Sequence, residues 1–106
     1  MVLLDLLGRR MTMRVLWELS RAGARMTFRS LQTEADTNPA VLNQRLKELR
    51  AAGLVDHDDD GYGLTARGSE LVGLMLPLHG WAETWAQENS METLRAAAPL
   101  PRVRRP

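Results

Sequence analysis

The sequence contains no cysteine. That absence excludes disulfides, thiolate nucleophiles, cysteine–zinc sites and any control by thiol oxidation. Also missing is an apolar run approaching the ~18 residues of a membrane span. The opening residues, Met1-Val2-Leu3-Leu4-Asp5, have neither the charged lead nor the long apolar block of a secretory signal. A cytoplasmic protein with no membrane partner is the expectation. There is no internal repeat. No nucleophile–base pair, metal-ligand set or phosphate loop is visible, so neither an enzyme nor a cofactor is expected.

What is present fits one soluble domain with a modest core: 106 residues, 44% apolar and 25% charged. Net charge is only +1, but it is segregated. Residues 1–55 carry nine basic and five acidic side chains, residues 56–92 one basic and eight acidic, and residues 93–106 four arginines and no acid. A basic half beside an acidic one suits a polyanion bound on one side only.

One stretch, residues 38–55, carries its own start, stop and two unlike faces. Asn38 can cap a helix, and Pro39 sits where a missing N–H costs nothing. Gly53 permits a left-handed stop, with Leu54 folding back on Leu49. Leu42, Leu46 and Leu49 form the apolar stripe, and Ala40, Asn43, Gln44, Lys47 and Ala51 form the opposite face. Small residues, amides and a cation on the free side of a helix can enter a DNA major groove. An ordinary amphipathic surface helix has the same pattern, so the surroundings decide.

Those surroundings are helical before and hairpin-like after. Leu3, Leu4 and Leu7 make an apolar patch ended by Gly8. A second helix is predicted over about 11–20, with Val15, Leu16 and Leu19 on one side and Trp17 at the edge. Arg9, Arg10 and Arg14 crowd its start, the unfavourable end of a helix dipole for cations, so they are solvated or touch phosphate. Arg25-Met26-Thr27 is a short extended piece, and Thr27 caps a brief helix to about Ala35 with Phe28 and Leu31 inward. Asp36-Thr37 is a tight connection. Two short helices so joined match a helix-turn-helix. Leu54-Val55 and Tyr62-Gly63-Leu64 flank the turn signal Asp60-Gly61 and predict a two-stranded wing. Thr65 then caps a long helix to about Gln87, kinked or broken at Pro77. Its stripe is Leu71, Leu74, Met75, Leu78, Trp81, Ala82 and Trp85. The expected organisation is a domain over 1–88, with a weak turn at 91–94 inside a flexible basic tail over 89–106.

The words Leu6-Leu7-Gly8-Arg9-Arg10-Met11-Thr12, Leu16-Trp17-Glu18-Leu19, Phe28-Arg29-Ser30-Leu31, Leu42-Asn43-Gln44-Arg45-Leu46-Lys47-Glu48-Leu49, Ala52-Gly53-Leu54-Val55 and Leu64-Thr65-Ala66-Arg67-Gly68 follow in fixed order. Together they resemble the HxlR-type transcriptional regulators, cousins of the MarR proteins, over roughly residues 3–85. The resemblance implies a mainly α winged helix-turn-helix fold and a homodimer paired through its first and last helices. It also implies two recognition helices in successive major grooves of a near-palindromic double-stranded DNA operator. Matched to this chain, the recognition helix is 38–52, with Asn38, Ala40, Asn43, Gln44 and Lys47 toward DNA. Gln44 is the strongest candidate for a base contact, since an amide can pair with both edge atoms of an adenine. Arg45, on the flank, would grip phosphate or orient the wing, and Arg29 and Ser30 would contact the backbone. Leu3, Leu4, Leu7, Leu71, Leu74, Leu78, Trp81 and Trp85 are the implied dimer surface. Some family members respond to small molecules, so the Trp81/Trp85 stripe could also line an effector cleft.

Three departures from the family pattern stand out. Met11 replaces a usual tryptophan, read as repacked core, and Ala66 replaces a proline after the capping threonine. The wing is short and carries Asp56, Asp58, Asp59 and Asp60, which near phosphates would repel. The wing therefore stays off DNA or meets arginines of its own protein. A winged-helix module that binds protein instead of DNA is the alternative this acidity suggests. The same aspartates with His57 match no calcium loop and are read as a solvated turn. His79, near Trp81, is read as an interface residue, and Arg102, Arg104 and Arg105 as a possible nonspecific DNA anchor.

Overall fold

The computed structural model describes residues 2–89. They form α1 (Val2–Leu7), α2 (Thr12–Ala22), α3 (Phe28–Ala35), α4 (Pro39–Ala51), β1 (Val55–Asp58), β2 (Gly61–Leu64) and α5 (Ala66–Glu88). The turn expected at 91–94 and the basic tail from residue 90 onward lie outside the described residues.

Local chemistry explains most of these boundaries. Thr27 Oγ1 accepts from the Ser30 N–H at 3.1 Å and starts α3. Asn38 Oδ1 accepts from the Val41 N–H at 2.9 Å and starts α4, with Pro39 at the first helical position. Thr65 Oγ1 accepts from the Gly68 N–H at 3.0 Å and starts α5. At the end of α4 the Leu54 N–H reaches Leu49 O and the Gly53 N–H reaches Arg50 O, both at 3.0 Å, with Gly53 at φ 76°. This is the Schellman closure expected from the sequence. Because the Asn38 cap satisfies one otherwise orphaned donor, Asn38→Ala is expected to cost about 1 kcal/mol. Urea unfolding would register this as a lower midpoint at unchanged slope.

At two helix ends the backbone is left-handed, a geometry the sequence signals leave open. Asp36 closes α3 in the left-handed region at φ 55°, a role normally given to glycine or asparagine. Met11 precedes α2 at φ 73° with no side-chain cap, and it is only half-buried. Met11 is therefore a turn residue at the margin, and its reading as repacked core is corrected: the left-handed backbone that joins α1 to α2 sets its place.

The chain divides into two compact units, the first ending at Gly73. The core lies in this first unit. Val15, Leu16 and Leu19 of α2, Leu31 and Ala35 of α3, and Leu42, Leu46 and Leu49 of α4 are buried, together with Met26, Leu54, Val55 and Val72. Each fully buried leucine contributes about 1.5–3 kcal/mol through removal of apolar surface from water. Glu18 is also buried, held by Arg14 at 2.7 Å and Arg21 at 3.3 Å. From the first turns of α5, Gly68 and Val72 enter the core, while Leu71 is half-buried. A Cβ at Gly68 would strike the carbonyl of Leu54, so only glycine allows this approach.

The hairpin is antiparallel, with Val55 opposite Leu64 and His57 opposite Tyr62. Its turn is Asp59-Asp60 rather than the expected Asp60-Gly61. Gly61 follows the turn at φ 119° as the first residue of β2. The extended piece at Met26 also pairs with this hairpin, through Met26 N–H to Tyr62 O at 2.9 Å and Tyr62 N–H to Met26 O at 2.7 Å. A side chain at Gly61 would collide with the Met26 carbonyl, which explains the glycine there.

In the second unit the helix continues through Pro77 without a break. A proline removes one backbone donor, and the flanking turns hold the helix across that gap. Trp81 and Trp85 stack with centroids 6.1 Å apart and planes 9° from parallel. Leu74, Leu78, Trp81 and Trp85 are exposed. His79 Nε2 lies 3.5 Å from Glu83 Oε2. Among the described residues, no helix is long and apolar enough to cross a membrane.

Candidate nucleic-acid interface

The apolar stripe of α4 fixes which side chains face outward. With Leu42, Leu46 and Leu49 buried, Ala40, Asn43, Gln44 and Lys47 are exposed on the far side, as the helical spacing predicts. Arg50, which the sequence reading passed over, is exposed beside them. Its signal was present: positions 43, 47 and 50 recur at helical spacing. Arg29 and Ser30 of α3 are exposed as well.

Asn38 is committed at one atom, since its side-chain oxygen caps α4. Gln44 donates from Nε2 to Glu48 Oε2 at 3.0 Å, one turn along the helix. Glu48 is a hub the sequence did not reveal. Arg9 reaches its Oε2 at 2.9 Å, and Arg45 reaches its Oε1 at 2.7 Å. The Gln44 hydrogen bond, and after it Arg45 and Arg9, hold the Glu48 carboxyl below its ordinary range against the opposing effect of burial. Arg45 is half-buried, and its Nε donates to the Arg10 carbonyl at 2.9 Å. Its guanidinium is thus turned toward the α1–α2 turn, tying α4 to it, rather than projecting from the free face.

Charge pairing separates the cations into two groups. Arg9, Arg14, Arg21, Arg25, Arg45 and Arg67 each meet a carboxylate. Among the described residues, Arg10, Arg29, Lys47 and Arg50 meet none. Three of those four lie on the helix-turn-helix. Unpaired positive charge is therefore concentrated on the helices whose free faces are polar.

The acidic wing follows the second of its two expected outcomes, since two of its aspartates meet an arginine of the same chain. Alternate side chains of the hairpin point to opposite faces. On one face Arg25 reaches Asp56 at 2.5 Å and Asp58 at 2.8 Å, and it donates to Gly61 O at 3.0 Å from Nη2. The Asp56 hydrogen bond is the main reason the Arg25 guanidinium holds its proton even more firmly than usual. Gly63 lacks the side chain that would obstruct this clamp, since a Cβ there would crowd the Arg25 guanidinium. On the other face His57 stacks on Tyr62, with centroids 4.1 Å apart and planes 16° from parallel. A cleft of about 490 Å³ runs between α4 and β1, lined by Lys47, Arg50, Ala51, Val55, Asp56 and His57. Among the described residues, no group of three or more His, Asp or Glu side chains is arranged to hold a metal.

The chain is similar to known proteins. The family model described as HxlR-like helix-turn-helix matches residues 6–90. An uncharacterized HTH-type transcriptional regulator of Synechocystis is 30% identical over 95 residues, covering 83% of this chain and 70% of that protein. The crystal structure of a possible HxlR family transcriptional factor from Thermoplasma volcanium overlays with a TM-score of 0.73 at 25% identity, covering 79% of this chain and 81% of the other.

Proposed function

Because the chain belongs to the HxlR-like helix-turn-helix family of transcriptional regulators, we propose that it binds double-stranded DNA sequence-specifically as a homodimer, with α4 in the major groove. The observation that carries this reading is the gathering of Arg29, Lys47 and Arg50, unpaired among the described residues, on α3 and α4. Unpaired cations release counterions from phosphates, whereas arginines already bound to carboxylates add little. Gln44 and Asn43 supply amides for base edges, and Ala40 leaves the N-terminal part of the helix flat enough for close approach.

Exposed apolar side chains support the dimer. Val2, Leu3 and Leu4 are exposed on α1, and Leu74, Leu78, Trp81 and Trp85 on α5. Leu7 and Leu71 are half-buried. Large apolar side chains exposed along a helix commonly mark protein contacts. A two-fold dimer would meet half-sites about one helical turn, roughly 34 Å, apart. The protein-binding alternative loses its main support, because Arg25 already neutralises Asp56 and Asp58.

Selection from a randomised duplex pool at ~0.1 M salt tests the proposal. A single enriched, near-palindromic motif is the expected result, and a pool without enrichment refutes sequence-specific binding. On the enriched site, Gln44→Ala should relax preference at one base position by about 1–3 kcal/mol. Lys47→Ala should instead weaken all sequences evenly and reduce the salt slope by about one per recognition helix.

A further inference from the structure

We propose that the cleft between α4 and β1 seats a DNA backbone phosphate, with Lys47 and Arg50 as fixed charges and His57 as a titratable one, so that DNA binding tightens as pH falls. This inference rests on the DNA-binding reading above and assigns a role to the wing within it.

The cleft is lined on one side by Lys47, Arg50 and Ala51 of α4, and on the other by Val55, Asp56 and His57 of β1. Neither Lys47 nor Arg50 has a carboxylate partner among the described residues. Among the described residues Asp56 is the only acid lining the cleft, and it is bound by Arg25. The cleft therefore carries a surplus of positive charge even though its wing is rich in aspartate. A phosphate oxygen placed there would face two cations and one neutralised acid.

The imidazole is held in place for this role. Its ring lies on the Tyr62 ring from the paired strand, 4.1 Å between centroids. The charged groups around it are Lys47 and Arg50 from α4, Asp56 and Asp58 beside it on β1, Asp59 and Asp60 in the turn, and Tyr62 on β2. Asp58, like Asp56, is bound by Arg25. Imidazole is the ordinary side chain that gains charge between about pH 8 and 5. Protonation adds a third cation to the cleft without moving the backbone. By linkage, a phosphate that prefers the protonated ring is bound more tightly where the ring is protonated.

The test uses the full chain and a fluorescein-labelled 30-base-pair duplex of random sequence, titrated at pH 8.0 and 5.5 over a range of salt. Wild-type protein should bind roughly fivefold more tightly per chain at pH 5.5, the size of one exposed ion pair. Its salt slope should steepen by about 0.9 per chain. His57→Gln should flatten both responses. His57→Arg should bind tightly at both pH values and show the steeper slope throughout. Binding to which His57→Gln brings the full wild-type pH response would overturn this inference and leave the DNA-binding reading standing. A wild-type chain that bound no duplex at either pH would overturn both.

Discussion

Leu46→Ala should destabilise the domain by about 2–5 kcal/mol, the cost of lost burial plus the cavity left behind. Leu46 is 2% exposed and stands between Leu42 and Leu49 in the stripe that seats α4. Domains of this size hold only about 5–15 kcal/mol of stability in total. The variant should therefore unfold at a much lower urea concentration with an unchanged slope. The exposed side chains Asn43, Gln44, Lys47 and Arg50 are untouched, so protein folded in the cold should still bind DNA. A loss below about 1 kcal/mol would mean that α4 is not anchored by this stripe.

Trp81→Glu combined with Trp85→Glu should turn the proposed dimer into a monomer at micromolar concentration, as read by light scattering. These side chains are 63% and 44% exposed within one chain, and Leu74 is 72% exposed. Placing two like charges on a stacked aromatic pair would make the apolar contact unfavourable without touching the core of the first unit. Binding to the selected operator should then fall by about 10²–10⁴, because two linked half-site contacts become one. A double variant that stayed dimeric would place the interface elsewhere.

Much of the fold was legible because its signals are local. Thr27, Asn38 and Thr65 announce helix starts through their own side chains, and Gly53 announces a stop. The leucine spacing in α4 identifies its buried side without reference to any other part of the chain. What could not be read depends on residues far apart in sequence. The pairing of Met26 with Tyr62 and the grip of Arg25 on Asp56 and Asp58 join segments some 30 residues apart. So does the bond from Arg45 to Arg10. Charge counting left two outcomes for the wing, off the DNA or paired with arginines of the same chain, and could not show that Arg25 claims two of its acids. Val72 was overlooked since the stronger leucine and tryptophan pattern in α5 belongs to its exposed positions. The left-handed backbone at Met11 left no signal, whereas Asp36 marked a tight connection whose handedness aspartate tolerates better than most residues.

The junction at Gly53 and Leu54 has a mechanical meaning. Thr65 Oγ1 donates to the Gly53 carbonyl at 2.6 Å, and the Thr65 N–H donates to the Leu54 carbonyl at 3.1 Å. Gly68 lies against that same Leu54 carbonyl, with no room for even a methyl group. The first turn of α5 is thus a lever arm whose fulcrum is the end of α4. Rotating that turn would press on the last residues of α4 and on the root of the hairpin together. Both would shift as one body, so torque applied to the start of α5 would reach the exposed side chains of α4 through the buried contact of Gly68 with the Leu54 carbonyl.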